Sequence, residues 1–210
     1  MLFRSREADV DAAVALGAQA VGFVLYPPSP RAVDLTRAAV LARRLPAFVT
    51  PVLLFVNASA DDVVRAGERV PGAWLQFHGD ESPEFCARTA QRAGAPYIRA
   101  ARIPRDDAAS FDLVKYALDY SSAQALLLDT LVPGYGGGGH TFNWSQLPPS
   151  VNCHLVLSGG LTPANVADGL RALRARGRSL SVDVSSGVES AKGIKDPAKM
   201  QAFIQAVRQA

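Results

Sequence analysis

One spacing constrains what this chain can fold into more than any other property. Short aliphatic and β-branched runs recur along it: AVGFVLY from Ala20, FVTPVLLFVN from Phe48, AWLQFHG from Ala73, PYIRAARI from Pro96, ALLLD from Ala125, CHLVLSGG from Cys153 and SLSVDVSSG from Ser179. Their starts lie 23 to 29 residues apart. Amphipathic stretches such as SADDVVRAGERV, SPEFCARTAQRAG and TPANVADGLRALRARG fill the intervals. Near-continuous apolar runs suit parallel strands covered by helices. Several helical stretches open on a polar cap followed by proline, as at Ser82-Pro83, Thr162-Pro163 and Asp196-Pro197. One βα unit is therefore repeated, with no linker or change of composition between copies.

The count of units sets the architecture. Seven strand candidates are visible, and a helix from about Ser5 to Gly17, with Glu7, Asp9 and Asp11 in its first turns, stands ahead of them without a strand. One further unit would begin just before Met1. The expectation is an α/β fold, a TIM (β/α)8 barrel whose first strand is missing, with residues 1–210 as one domain. An open doubly wound sheet is the alternative, and it leaves the regular spacing unexplained.

Composition narrows the function classes. The chain is 49% hydrophobic and 20% charged, as in ordinary globular proteins. No apolar run approaches a membrane span, and no signal peptide opens the chain, so a cytoplasmic protein with no membrane partner is expected. Cys86 and Cys153 share no metal-type spacing. A net charge of +3 and a pI near 9.1 favour anionic ligands. The arginines are scattered rather than clustered, which speaks against nucleic acid.

In such barrels chemistry gathers in the loops after the strands, and phosphate commonly binds after strands seven and eight. Ser158-Gly159-Gly160-Leu161 follows one of the last two runs and Val184-Ser185-Ser186-Gly187-Val188 the other. Both are small-residue turns that let backbone N–H groups approach an anion. Gly159, Gly160, Ser185, Ser186 and Gly187 are thus the phosphate candidates. Asp129 ends the apolar run LLLD, where a carboxylate is costly unless hydrogen-bonded or functional. His78 ends LQFHG, Asp183 lies in SVDVSSG, and Arg31 closes the stiff loop YPPSPR, where a guanidinium can grip a carboxylate. The four glycines Gly136 to Gly139 suggest a flap over substrate. Each has a plain structural reading as well: a strand-end hydrogen-bonder, a solvated arginine, a flexible excursion.

With these residues assembled, the chain resembles the phosphoribosylanthranilate isomerase family of tryptophan biosynthesis. The resemblance rests on GFVLYPPSPR, LQFHGDE, LLLDT with the glycine loop and TFNW, LSGGLTPANV and DVSSGVESAKGIKDP. It implies an Amadori rearrangement of N-(5′-phosphoribosyl)anthranilate without metal or organic cofactor. A carboxylic acid, carried over to Asp129, protonates the furanose oxygen and opens the sugar to a Schiff base. A cysteine then removes the C2′ proton. The arginine that holds the anthranilate carboxylate carries over to Arg31, while His78 and Asp183 match positions lining the pocket. The other partner implied is that phosphorylated substrate alone.

The chain departs from the family at its front. The cysteine normally ends a first strand reading lysine-isoleucine-cysteine-glycine, and its position here falls on Leu2 or just before Met1. A misplaced start would make the natural protein a working isomerase of which this chain is a fragment. A genuine loss would leave a catalytically impaired, phosphate-ligand-binding barrel. A ligand-binding or assembly protein that kept the pocket is the third reading. The strands at Ala20 and Ser179 would each show an unpaired edge, which favours self-association and poor solubility. A histidine-pathway aminoaldose isomerase is the runner-up enzyme, although no internal half-barrel repeat is visible.

Overall fold

The computed structural model describes residues 2–3, 6–107, 110–132 and 139–210. Eight parallel strands form one sheet in the order of the chain: β1 (Leu2–Phe3), β2 (Ala20–Val24), β3 (Thr50–Phe55), β4 (Trp74–Phe77), β5 (Tyr97–Ile103), β6 (Ala125–Thr130), β7 (His154–Leu157) and β8 (Ser179–Val182). Helices α1 (Glu7–Ala15), α2 (Leu35–Ala42), α3 (Ala60–Arg69), α4 (Pro83–Ala93), α5 (Leu113–Asp119), α6 (Val166–Leu173) and α7 (Pro197–Gln209) cover it. A small antiparallel hairpin, β9 (Glu189–Ala191) and β10 (Ile194–Lys195), lies between β8 and α7. The fold is of the (β/α)8-barrel type.

The alternation of side chains along each strand divides the core in two. Leu126 and Leu128 face the helices and join the large cluster that includes Phe23, Leu53, Phe77 and Leu157. Their neighbours Ala125 and Leu127 face the other way, with Ile98, Ala100 and Val156. A period of two then puts Asp129 on the same face as Ala125 and Leu127. Asp129 is thus fixed by the pleat as the inward residue at the top of β6.

Three expectations are corrected. The first-strand position is filled: Leu2 pairs with Val21 and Phe3 with Gly22, parallel, so the edge of β2 is partly covered. Two apolar residues are too short a run to register as a strand in sequence. Second, α6 starts at Val166 rather than at Thr162-Pro163. The carbonyl of Thr162 accepts from the N–H groups of Asn165 and Val166, at 3.3 and 3.2 Å, so residues 163–165 form a turn ahead of the helix. Third, among the described residues no α-helix separates β6 from β7; a short 3-10 turn at Trp144–Gln146 takes its place. Pro148 and Pro149 follow directly and cannot continue a helix.

Candidate active site

The strand ends converge on one pocket. Arg31, His78, Asp129, Asp183, Gly159, Gly160, Ser185 and Ser186 all line it, each lying at or just after the C-terminal end of its strand. Gly187 does not contribute to the lining. Its role is to let two loops touch, because a Cβ there would lie 1.8 Å from the carbonyl oxygen of Leu161.

Asp129 is buried and fully engaged on the protein side. Its own neighbour Thr130 donates N–H to Oδ1 at 2.9 Å, and His78 Nε2 lies 3.0 Å from Oδ2. Gln76 Nε2 donates to His78 Nδ1 at 3.0 Å. With Nδ1 acting as acceptor, the ring proton sits on Nε2 and points at the carboxylate. Gln76, His78 and Asp129 thus form a chain from β4 to β6. The Oε1 of Gln76 is buried without a partner.

The loop that carries His78 is pinned from behind. Arg99, on the helix-facing side of β5, donates Nη1 to the Phe77 carbonyl at 2.9 Å and Nη2 to the Gly79 carbonyl at 3.0 Å. It also pairs with buried Glu81 at 3.0 Å. Glu81 in turn accepts from the N–H of Asn57 and of Gly79, and Tyr120 packs its ring 4.9 Å from the guanidinium carbon. A charge buried this deeply is tolerated because each is matched and hydrogen-bonded.

Asp183 is the odd group. It is only 2% exposed, and burial pushes its carboxyl up from the usual range. Oδ2 accepts from Ser158 Oγ at 3.2 Å, whereas Oδ1 is buried with no hydrogen-bond partner among the described residues. An orphaned buried oxygen at a pocket wall is a group that needs an explanation.

The two small-residue turns meet beside Asp129. Gly159 and Gly160 adopt φ of +73 and +64, which favours glycine. A Cβ at Gly159 would lie 2.8 Å from Asp129 Oδ1 and 2.6 Å from Thr130 N, and one at Gly160 2.3 Å from the His140 carbonyl carbon. Glycine is required at both positions for space as well as for φ. The flap expected from Gly136 to Gly139 lies outside the described residues except for Gly139, which borders the pocket.

Arg31 is held by the protein itself, which the solvated reading does not foresee. Its Nε and Nη2 each donate to Glu189 at 2.7 Å, and Lys195 Nζ donates to the same carboxylate at 2.7 Å. Sequence reasoning missed Glu189 and Lys195, although both stand in the stretch DVSSGVESAKGIKDP, because nothing local marks either as buried.

Neither cysteine brings a thiol to this pocket. Cys86 is buried in α4, and burial pushes its thiol up to about 12. Cys153 precedes β7, at the opposite end of the sheet, and burial raises it too. Leu2 pairs with Val21, three residues before Val24 at the pocket wall, so it sits about 10 Å below the mouth at strand rise. Among the described residues no group of three or more His, Cys, Asp or Glu side chains is arranged to hold a metal ion. No helix among them is long and apolar enough to cross a membrane. A larger hollow at the other end of the sheet is lined mainly by aliphatic residues with His154 and Arg208; it gathers no acid.

Comparison with known proteins agrees with this geometry. A family model described as N-(5'phosphoribosyl)anthranilate (PRA) isomerase matches residues 3–206. The N-(5'-phosphoribosyl)anthranilate isomerase of Leptothrix cholodnii is 57% identical over 206 residues, covering 98% of this chain and 88% of that relative. The crystal structure of phosphoribosyl anthranilate isomerase from Thermotoga maritima superposes with a TM-score of 0.82 at 34% identity, covering 100% of this chain and 98% of that one. A second structure of such an isomerase, in complex with reduced 1-(o-carboxyphenylamino)-1-deoxyribulose 5-phosphate, superposes with a TM-score of 0.80 at 31% identity, covering 100% and 97%.

Proposed function

The chain belongs to the N-(5′-phosphoribosyl)anthranilate isomerase family, enzymes of tryptophan biosynthesis that carry out an Amadori rearrangement, and we propose that Asp129 is its acid, Arg31 its carboxylate grip and the two glycine-serine turns its phosphate cradle. The observation that carries this assignment is the contact of Gly159 with Asp129. It sets the cradle and the acid at one wall, so a phosphate held by the turns places the sugar ring against the carboxyl.

The chemistry follows from the hydrogen bonds. Protonated Asp129 gives its proton to the ring oxygen, which becomes the C4′ hydroxyl as the furanose opens to the Schiff base. The carboxylate left behind already has a donor on each oxygen, Thr130 N–H on Oδ1 and His78 Nε2–H on Oδ2. That charge is thus met by groups that need no rearrangement. The iminium acidifies C2′, and the enol form of the aminoketose follows once a base takes that proton; the resemblance gives this role to a cysteine, and neither Cys86 nor Cys153 fills it in this pocket. The free Oδ1 of Asp183 takes a sugar hydroxyl. Backbone N–H groups around Gly159 and Gly160 and the hydroxyls of Ser185 and Ser186 take the phosphate. With Arg31 on the aryl carboxylate, both ends are fixed and the sugar is oriented between them. A phosphorylated sugar intermediate of this kind implies a cytoplasmic setting.

The test is a pair of measurements on the full chain. Turnover is followed by loss of the fluorescence of the anthranilate adduct, and binding by calorimetry with the reduced product analogue. Asp129→Asn is expected to lower turnover by 10³-fold or more, in the range of a lost general acid, while analogue binding changes less than about tenfold. Equal losses in both would remove Asp129 from the acid role. Tight binding without turnover in the unaltered chain would favour the impaired, ligand-binding barrel.

A further inference from the structure

Arg31 has two edges, and among the described residues one alone is spent on the protein. Its Nε/Nη2 edge meets Glu189 as a two-bond fork, 2.7 Å on each side. The guanidinium has five N–H donors, so Nη1 and the second N–H of Nη2 form another edge of the same planar group. Arg31 lines the pocket, and its side chain is 13% exposed while that of Glu189 is 6%. The pairing fixes the plane of the guanidinium and hence the direction of the remaining edge.

Glu189 is itself held from the far side. Lys195 stands opposite Glu189 across the β9–β10 ladder. It is 3% exposed and donates from Nζ to Glu189 Oε1 at 2.7 Å, to the Ser185 carbonyl at 2.8 Å and to Ser185 Oγ at 3.3 Å. A hydroxyl that accepts from an ammonium has its own O–H free to donate elsewhere, here toward the cradle. Burial alone would raise the Glu189 carboxyl, yet the bonds from Arg31 and Lys195 outweigh it and hold it below the usual range. The hairpin turn adds a second contact: a Cβ at Gly193, which has φ +79, would lie 3.1 Å from the Pro30 carbonyl beside Arg31.

We propose that Glu189 is a positioning residue, braced by Lys195, that aims the free edge of Arg31 at the substrate carboxylate and ties that grip to the phosphate cradle through Ser185. This rests on the reading of Arg31 given above. The Glu189 carboxylate thus sits between two cations, Arg31 and Lys195. A chain of bonds, Arg31–Glu189–Lys195–Ser185, runs from the grip to the cradle. A mere structural ion pair would need neither the second cation nor a link to Ser185.

The experiment compares two probes by calorimetry on the full chain: the reduced product analogue and its counterpart lacking the ring carboxylate. The wild type is expected to prefer the carboxylate-bearing probe, and Arg31→Met to abolish that preference. Glu189→Gln is expected to weaken the carboxylate-bearing probe by tenfold or more and the other by less than twofold. Glu189→Asp keeps the charge but withdraws it by one methylene, and is expected to show the same selective loss. Lys195→Met is expected to weaken both probes. If Arg31→Met abolishes the preference while both Glu189 variants weaken the probes equally or leave them unchanged, the positioning role is refuted and the reading of Arg31 stands. If Arg31→Met keeps the preference, that reading falls and the proposal with it.

Discussion

Gly187→Ala tests the geometry of the phosphate side at a single atom. The added Cβ would lie 1.8 Å from the Leu161 carbonyl oxygen, 2.9 Å from its carbon and 3.2 Å from Thr162 Cα. An ordinary carbon–oxygen contact is about 3.3 Å, so the overlap is about 1.5 Å. All three atoms are backbone and cannot swing aside. Gly187 does not have a left-handed φ, so the penalty is steric and not conformational. The turn after β8 must then separate from the turn after β7 by about the length of the overlap. Parting the two turns by that distance is expected to weaken analogue binding by about tenfold or more, about 1.4 kcal/mol per tenfold, and overpacking removes about 1–3 kcal/mol of stability. Calorimetry with the reduced product analogue and urea denaturation measure the two effects separately. Gly67→Ala is the control. Its Cβ in α3 would sit 3.6 Å from Ala93 Cβ, an ordinary contact, so stability is expected to rise by about 0.5–1 kcal/mol with affinity unchanged. If Gly187→Ala binds the analogue within threefold of wild type, the two loops do not meet as described and the cradle is wrongly built.

Other consequences follow from the buried charges. Glu81→Gln strands Arg99, and breaking a buried pair of this kind is expected to cost about 3 kcal/mol by urea denaturation; a cost below about 1 kcal/mol would mean the clamp does not hold the His78 loop. Asp183→Asn should stabilise the ligand-free protein at neutral pH, on the order of 1 kcal/mol, while weakening substrate binding. The sign follows from the raised carboxyl: its favourable contribution is complete below the unfolded value of 3.8 and is lost as pH rises through the native value. The melting advantage of Asp183→Asn must therefore grow from pH 4 upward, and a constant gap would refute the assignment. Glu189 behaves oppositely. Its lowered carboxyl keeps its contribution above the usual 4.5 and loses it only as pH falls below that; Glu189→Gln should therefore approach wild-type stability in acid.

The strands were legible because each is a continuous apolar run with a fixed interval to the next, and burial on both faces leaves that mark in the sequence. His78, Asp129 and Asp183 were legible for a related reason, since a titratable group directly after such a run must stand at a strand end. The fork between Arg31 and Glu189 joins residues 158 positions apart, and only the curl of the sheet brings them together. Arg99 lies inside PYIRAARI, where nothing local says that its charge is met by Glu81 from the neighbouring loop. Leu2–Phe3 carried too few residues to show a period at all. Helix starts were less legible than strands: the Thr162-Pro163 pattern is present, but Asn165 Oδ1 accepts from Thr162 N at 2.8 Å and closes a turn there first.

The clamp around Arg99 divides the pocket into a fixed wall and an adjustable one. His78 and Asp129 stand at the tops of the β4–β5 and β5–β6 ladders, whereas the phosphate end of a ligand would meet the turns after β7 and β8. Remodelling those turns would alter the length or charge of the molecule admitted and leave Asp129 where it is. A barrel organised in this way can change its diet without relearning its reaction.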